Sequence, residues 1–150
     1  MKKFSIALLL LLLAQATYSQ ELKITKKTLP PAVLTSFTKS YPAAKIHGMN
    51  KETKKGVTYY EIESSEGKVK RDVLYTSDGS VAEVEEIIGL GEIPQAIKDA
   101  VTKQNPKDKI TSAEKVMRGT SIQYDLEMKS KNKSYEVSYS LDGTLIQPHP

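Results

Sequence analysis

The side chains able to do chemistry in this 150-residue chain are few, and their spacing limits each of them. Cysteine is absent, which excludes thiolate nucleophiles, thiolate metal sites, disulfides and the lipid-modified cysteine of a lipoprotein. His47 and His149 are the two histidines. Neither stands in a helical His pair or a His/acid cluster of metal-ligand spacing. A Ser/His or Cys/His nucleophile system therefore has almost nothing to build from. Glu83, Glu85 and Glu86 crowd three carboxylates together, and an acid/base hydrolase needs such a pair. Glu83 and Glu85, however, share the wet face of one alternating segment, where a solvated charge row is the ordinary explanation. Two Asp-Gly pairs sit in "LYTSDGSV" and "SYSLDGTL". A calcium loop needs a run of oxygen ligands and a distal Glu, and each stretch offers a single carboxylate. Asp-Gly between alternating segments is instead what a tight hairpin turn takes, because the turn requires positive φ. Gly89-Leu90-Gly91 follows no helix-opening pattern and is too short for a phosphate loop. Asn132-Lys133-Ser134 matches a glycosylation sequon, which matters only in a eukaryotic host.

The elements that must position these residues occur twice. Pro30 falls on Pro94, 64 residues later, and without any gap the same shift pairs Ala32/Ala96, Pro42/Pro106, Ile46/Ile110, Tyr60/Tyr124, Glu63/Glu127, Tyr75/Tyr139, Asp78/Asp142 and Gly79/Gly143. Each repeat opens on a proline suited to a helix start. Val33, Phe37 and Tyr41, and Ile97, Ala100 and Val101, then give one apolar stripe per helix. Leu29 and Ile93 are placed to staple back onto the first turn, and Pro42 and Pro106 stop both helices. After them the period becomes two. Ile122, Tyr124, Leu126 and Met128 alternate with Gln123, Asp125 and Glu127; Tyr60 and Ile62 alternate with Glu61 and Glu63. The following strands bury Val69, Val73 and Tyr75 in the first repeat and Tyr135, Val137 and Tyr139 in the second. The breaks "KKG", "SEGK" and "KNK" fit hairpins. Neither half, at roughly 60 residues, buries much alone. The expected fold is α+β: a tandem duplication of a helix plus about four antiparallel strands, forming one continuous antiparallel sheet with both helices on one face. Gly89-Leu90-Gly91 reads as the joint.

The first residues, MKKFSIALLLLLLAQATYSQ, join a basic start to an apolar run and small residues, the pattern of a secretory signal. The run is shorter than the ~18 residues that span a bilayer. Residues 1–19 are assigned to a cleavable signal peptide, 20–27 to an N-terminal segment, 28–91 to the first repeat and 92–150 to the second. Losing Lys2 and Lys3 leaves 20 basic against 18 acidic side chains, +2, so the basic balance is no nucleic-acid footprint.

On "LPPAVLTSFTKSYPAAKI", "YYEIES", "VLYTSDGSV" and their copies "IPQAIKDAVTKQNPKDKI", "YDLEMK", "VSYSLDGTL", the chain resembles the PepSY-like, beta-lactamase-inhibitor-like family of secreted bacterial proteins. The signal ending in Ser-Gln resembles that of exported Bacteroidetes-type proteins. The resemblance implies a tandem helix-plus-sheet fold in the periplasm or outside the cell, and non-catalytic binding or inhibition. No inhibitory loop motif matches residue by residue, so no site is carried over.

The two halves also disagree. Where the second carries Ser121, Gln123 and Ser138 on the wet face, the first carries Val57, Tyr59 and Leu74. These three are the candidate protein-contact patch; the competing reading has Leu22 and Ile24 or a neighbouring strand covering them. Arg71 stands on the buried face where the copy has Tyr135, either snorkelling at the sheet edge or paired with an acid. The expected function is a secreted, non-enzymatic binding module without cofactor or metal, using the exposed sheet face. Its expected partner is another protein of the cell envelope, not nucleic acid and not the membrane interior. The alternative is an inhibitor of a secreted or periplasmic hydrolase, a beta-lactamase or a protease.

Overall fold

The computed structural model describes residues 21–146 apart from Asn132. The proposed signal peptide and His149 lie outside them. Nine strands form one antiparallel sheet in chain order: β1 (Leu22–Lys23), β2 (Lys45–Lys54), β3 (Val57–Glu66), β4 (Val69–Tyr75), β5 (Val81–Ile87), β6 (Lys109–Arg118), β7 (Ser121–Lys129), β8 (Ser134–Ser140) and β9 (Leu145–Ile146). Helix α1 (Pro31–Ser40) precedes β2, and α2 (Gln95–Gln104) precedes β6. Both helices begin just after a proline, and Tyr41 and Asn105, each before a proline, cap them. The 64-residue spacing recurs in the ends of α1 and α2, in the ends of β2 and β6, and in the bulges at Ile46/Gly48 and Ile110/Ser112.

Each helix closes its own core. Val33 and Phe37 meet Ile62, Val73 and Tyr75, while Ile97 and Val101 meet Ala113, Leu126, Met128 and Tyr139. Leu29 and Ile93 are buried in these cores, as the staple requires. Ala113 packs in the second core and Met117 against the first; they project from the same face of β6, so both helices cover one side of the sheet. Each fully buried aliphatic or aromatic side chain here contributes about 1.5–3 kcal/mol. The halves meet at β5–β6, where Val84–Ile87 pair with Glu114–Met117.

Burial departs from expectation at the strand ends. Val69 is exposed, and Tyr60, Ile122, Tyr135 and Val137 are only half-buried. A ten-residue helix covers ~15 Å, whereas a ten-residue strand runs ~33 Å, so the strands outreach their helices. Arg71 has an acid partner: directly across the β4–β5 ladder, Glu86 Oε1 accepts from its Nε at 2.7 Å. Its guanidinium lies 4.2 Å over the Tyr41 ring. At the matching place in the second half, the Tyr135 hydroxyl donates to Asp108 at 2.6 Å.

The Asp-Gly pairs are turns. Thr76 N–H donates to Ser80 O and Ser140 N–H to Thr144 O, both at 2.9 Å. Asp78 and Asp142 accept from the backbone N–H two residues on and are held below the usual carboxylate range, first by hydrogen bonds from the Thr76 and Ser140 hydroxyls. Gly79 and Gly143 have φ of 85° and 83°, and a Cβ on either would stand 2.6 Å from the carbonyl oxygen of Ala32 or Ala96. The glycine thus serves twice: it makes the turn and lets it touch the first turn of the helix.

Candidate docking face of the sheet

Strand alternation that sends Tyr60 and Ile62 toward α1 sends Tyr59, Glu61 and Glu63 the other way. Carried across the ladder, this rule assembles a row of carboxylates on the helix-free face. Glu63 pairs with Asp72 and Asp72 with Glu85; Glu114 pairs with Asp125; Glu127 pairs with Glu136. Glu61 and Glu83 flank Leu74 on its two neighbouring strands. With Glu21 and Glu52 at the β1 edge, seven carboxylates lie in the first half and four in the second, eleven of the chain's 18. They line two hollows of about 130 and 160 Å³, the first around Glu61, Asp72, Glu83 and Glu85, the second around Glu114, Asp125, Glu127 and Glu136.

Lys23, Lys54, Lys70, Lys109, Arg118 and Lys129 share this face by the same registers, but ion pairing on it is sparse. Lys54 reaches Glu52 at 2.7 Å, and Arg118 pairs with Glu83. Among the described residues, no basic nitrogen lies within 4.0 Å of the Asp72, Glu85, Glu114, Asp125, Glu127 or Glu136 carboxylates. Like charges directly opposite on neighbouring strands destabilise a sheet, and the titration of these groups reflects it. Burial, then the hydrogen bond and charge of Glu83, push the Glu85 carboxyl up to about 8. Burial followed by the Asp125 and Glu136 charges raises Glu114, and burial followed by Glu63 raises Asp72. Glu61 is raised by burial against the lowering pull of Asn50.

Asn50, 2% exposed, donates to Glu61 at 2.9 Å and to Glu63 at 2.6 Å. Carboxylate oxygens of Glu21, Glu61 and Glu63 lie within 4.8 Å of one another, a donor set of the kind hard cations take. Glu83 and Glu85 do come together, as an acid/base pair requires. Their hollow is well below the ~300 Å³ of an ordinary substrate pocket. His47 Nε2 lies 2.6 Å from Ser65 Oγ on the exposed sheet surface, and among the described residues no carboxylate orients the ring.

Val57, Tyr59 and Leu74 are brought together in a groove of about 430 Å³ rimmed by Lys54, Lys55 and Arg118. They are not equivalent. Val57 is 44% exposed and Tyr59 half-buried, but Leu74 is 8% exposed, a floor between Glu61 and Glu83 rather than a contact residue. Ile24 packs into the α1 core on the other side of the sheet, so it is not their cover. In the second half Gln123 takes Tyr59's place and donates to Asp125 at 2.6 Å.

The acid row is the feature that sequence reasoning missed. The alternation around Val73 and Val137 puts Asp72 and Glu136 on the same face as Glu61, Glu63, Asp125 and Glu127. The 64-residue shift would have flagged it, because it sets Glu61 on Asp125, Glu63 on Glu127 and Asp72 on Glu136.

A profile of the family described as "Putative beta-lactamase-inhibitor-like, PepSY-like" matches residues 15–83 and 58–147. Among solved structures, a protein from Bacteroides eggerthii described as a "putative periplasmic" protein is similar with a TM-score of 0.67 and 17% identity, over 79% of this chain and 86% of that one. A DUF2874 family protein from Bacteroides ovatus gives 0.65 and 18%, over 80% and 86%. A "BLIP-like" protein from Bacteroides fragilis gives 0.62 and 17%, over 77% and 82%. At these identities the likeness is one of fold. A comparison with curated protein sequences gives no match. No helix of the described residues is long and apolar enough to cross a membrane.

Proposed function

The chain belongs to the PepSY-like family, and on that premise we propose that it is an exported, non-enzymatic binding module of the periplasm whose helix-free sheet face meets another envelope protein. In this reading the chain is a duplicated unit. Its two helices close the core from one side and leave the other side to the partner. The family's fold is of a non-catalytic kind, and the fold neighbour from B. eggerthii supports the compartment. The observation that carries the reading is the groove at Val57 and Tyr59. It places an exposed aliphatic and a half-buried aromatic side chain inside a charged rim, the composition of an interface anchor.

The test is affinity capture of envelope proteins on the processed chain, compared with a Val57→Ser/Tyr59→Ser double variant. Loss of an aromatic anchor costs about 1–3 kcal/mol, so a specific partner should weaken by about fivefold or more while the circular-dichroism spectrum stays unchanged. Undiminished capture by the double variant removes this surface from consideration. Titrating the protein into a panel of beta-lactamases and proteases decides whether the partner is a hydrolase that it inhibits.

A further inference from the structure

We propose that the partner presents a lysine- or arginine-rich polypeptide segment, laid across the strands of the helix-free face from the Tyr59 groove toward Glu136. The inference rests on the reading of that face as the binding surface and names the chemistry of what it takes. The chain as a whole is basic, with 22 Lys and Arg against 18 acids, so composition does not account for an acidic face. Eleven carboxylates gather on one side of the sheet beside the basic residues named above, and among the described residues no basic nitrogen lies within 4.0 Å of Asp72, Glu85, Glu114, Asp125, Glu127 or Glu136. The arrangement is costly for the free protein, since Glu63, Asp72 and Glu85 follow one another across three strands, and Glu127 faces Glu136. Both halves keep it: Glu61, Glu63 and Asp72 have acidic counterparts in Asp125, Glu127 and Glu136 at the same strand positions.

A charge pattern that destabilises the free fold in both halves is what a positively charged ligand would relieve. Its extent distinguishes the ligand. From β3 to β8 there are five strand spacings of ~4.8 Å, and the registers set Glu136 about eight residues along the strands from Tyr59, so the diagonal from the groove to Glu136 runs ~36 Å. A single metal ion engages only one cluster of three carboxylates, such as Glu21, Glu61 and Glu63. An extended segment of about eleven residues spans the whole diagonal, with cationic side chains at alternate positions turned toward the sheet. The Val57–Tyr59 groove at one end then takes an apolar or aromatic side chain of the same segment, which favours a polypeptide over a polyamine.

The experiment measures binding of a fluorescein-labelled nona-arginine to the processed chain by anisotropy, with a chelator present throughout and a nona-serine peptide as control. Two triple variants remove equal charge: Glu114→Gln/Asp125→Asn/Glu127→Gln on the face, and Glu66→Gln/Glu92→Gln/Asp99→Asn away from it. Thermal melts establish that both fold. The face variant should weaken nona-arginine by about tenfold and the control variant by less than about twofold, with binding falling several-fold between low and about 150 mM salt. No binding to the unaltered chain overturns the inference, and so does an equal loss in both variants, which reports net charge alone. If nona-arginine fails while Tyr59-dependent capture of a partner persists, the cationic chemistry is wrong and the binding module stands. If capture ignores Val57→Ser/Tyr59→Ser, the docking surface itself is wrong, whatever the peptide does.

Discussion

Replacing Glu85 with glutamine should make the protein more stable, and only at high pH. The Glu85 carboxyl faces Asp72 on β4, Glu83 on its own strand and Glu114 on β6, and burial with the Glu83 hydrogen bond pushes it up to about 8. Its ordinary value is 4.5. Below the ordinary value folded and unfolded chains both hold the proton, and the residue is neutral to stability. Between 4.5 and about 8 the unfolded chain releases a proton that the fold retains, so stability falls as pH rises. Above that range the folded carboxylate ionises too, and the penalty stays constant. Fully expressed, that difference would be at most about 5 kcal/mol. The side chain is only half withdrawn from water, and screening reduces this to about 1–2 kcal/mol. Glutamine keeps the shape and the hydrogen bond to Glu83 without the charge. Urea unfolding followed by far-UV circular dichroism should show the variant ahead by about 1–2 kcal/mol near pH 9, or about 4–8 °C in Tm, and level near pH 4. A gain of the same size at both pH values, or a loss near pH 9, would refute the reasoning, because either separates the effect from ionisation.

Two further substitutions test the frame that carries this face. Gly143→Ala meets both a φ of 83° and the Ala96 carbonyl oxygen at 2.6 Å, and should cost about 2–4 kcal/mol by urea denaturation. A cost below about 0.5 kcal/mol would mean that the turn does not rest on α2. Arg71→Ala forfeits the Tyr41 stacking and leaves Glu86 without its cation, for a cost of about 2–3 kcal/mol. Adding Glu86→Ala should recover part of that cost in a double-mutant cycle, and strictly additive losses would show that the pair is not coupled.

Local chemistry made much of the architecture readable. Pro30 and Pro94 start the helices because a proline there forgoes no hydrogen bond, and Asp78-Gly79 and Asp142-Gly143 turn because glycine reaches positive φ freely. The acidic face was harder to see, because it depends on which strand lies beside which. Asp72 becomes part of an acid row only when the β3–β4 and β4–β5 registers set it between Glu63 and Glu85. Leu74 read as a surface residue from its parity alone, yet the neighbours at Glu61 and Glu83 nearly close over it. Arg71 announced itself as an oddity, but its partner Glu86 is 15 residues away and was fixed by a bulged pairing that no periodicity reveals. Net charge concealed the acid row most effectively, since a sum over the chain erases the side on which each charge lies.

The seam between β5 and β6 has a consequence for how the fold comes apart. Four ladder pairs, the Ile88 N–H to Ala113 O hydrogen bond and the Arg118–Glu83 ion pair join the halves, whereas β2–β3 and β6–β7 are paired almost along their full lengths, and each half has its own buried cluster. Met117, reaching back into the first cluster, is one of the side chains that tie the two together. Cooperativity therefore runs through a narrow neck. Fluctuations that part β5 from β6 leave two intact helix-and-strand units, each of which keeps its hydrogen bonds while the other opens. The same neck lies in the middle of the acid row, between Glu85 and Glu114, so a ligand bridging that point would clamp the halves into a single unfolding unit.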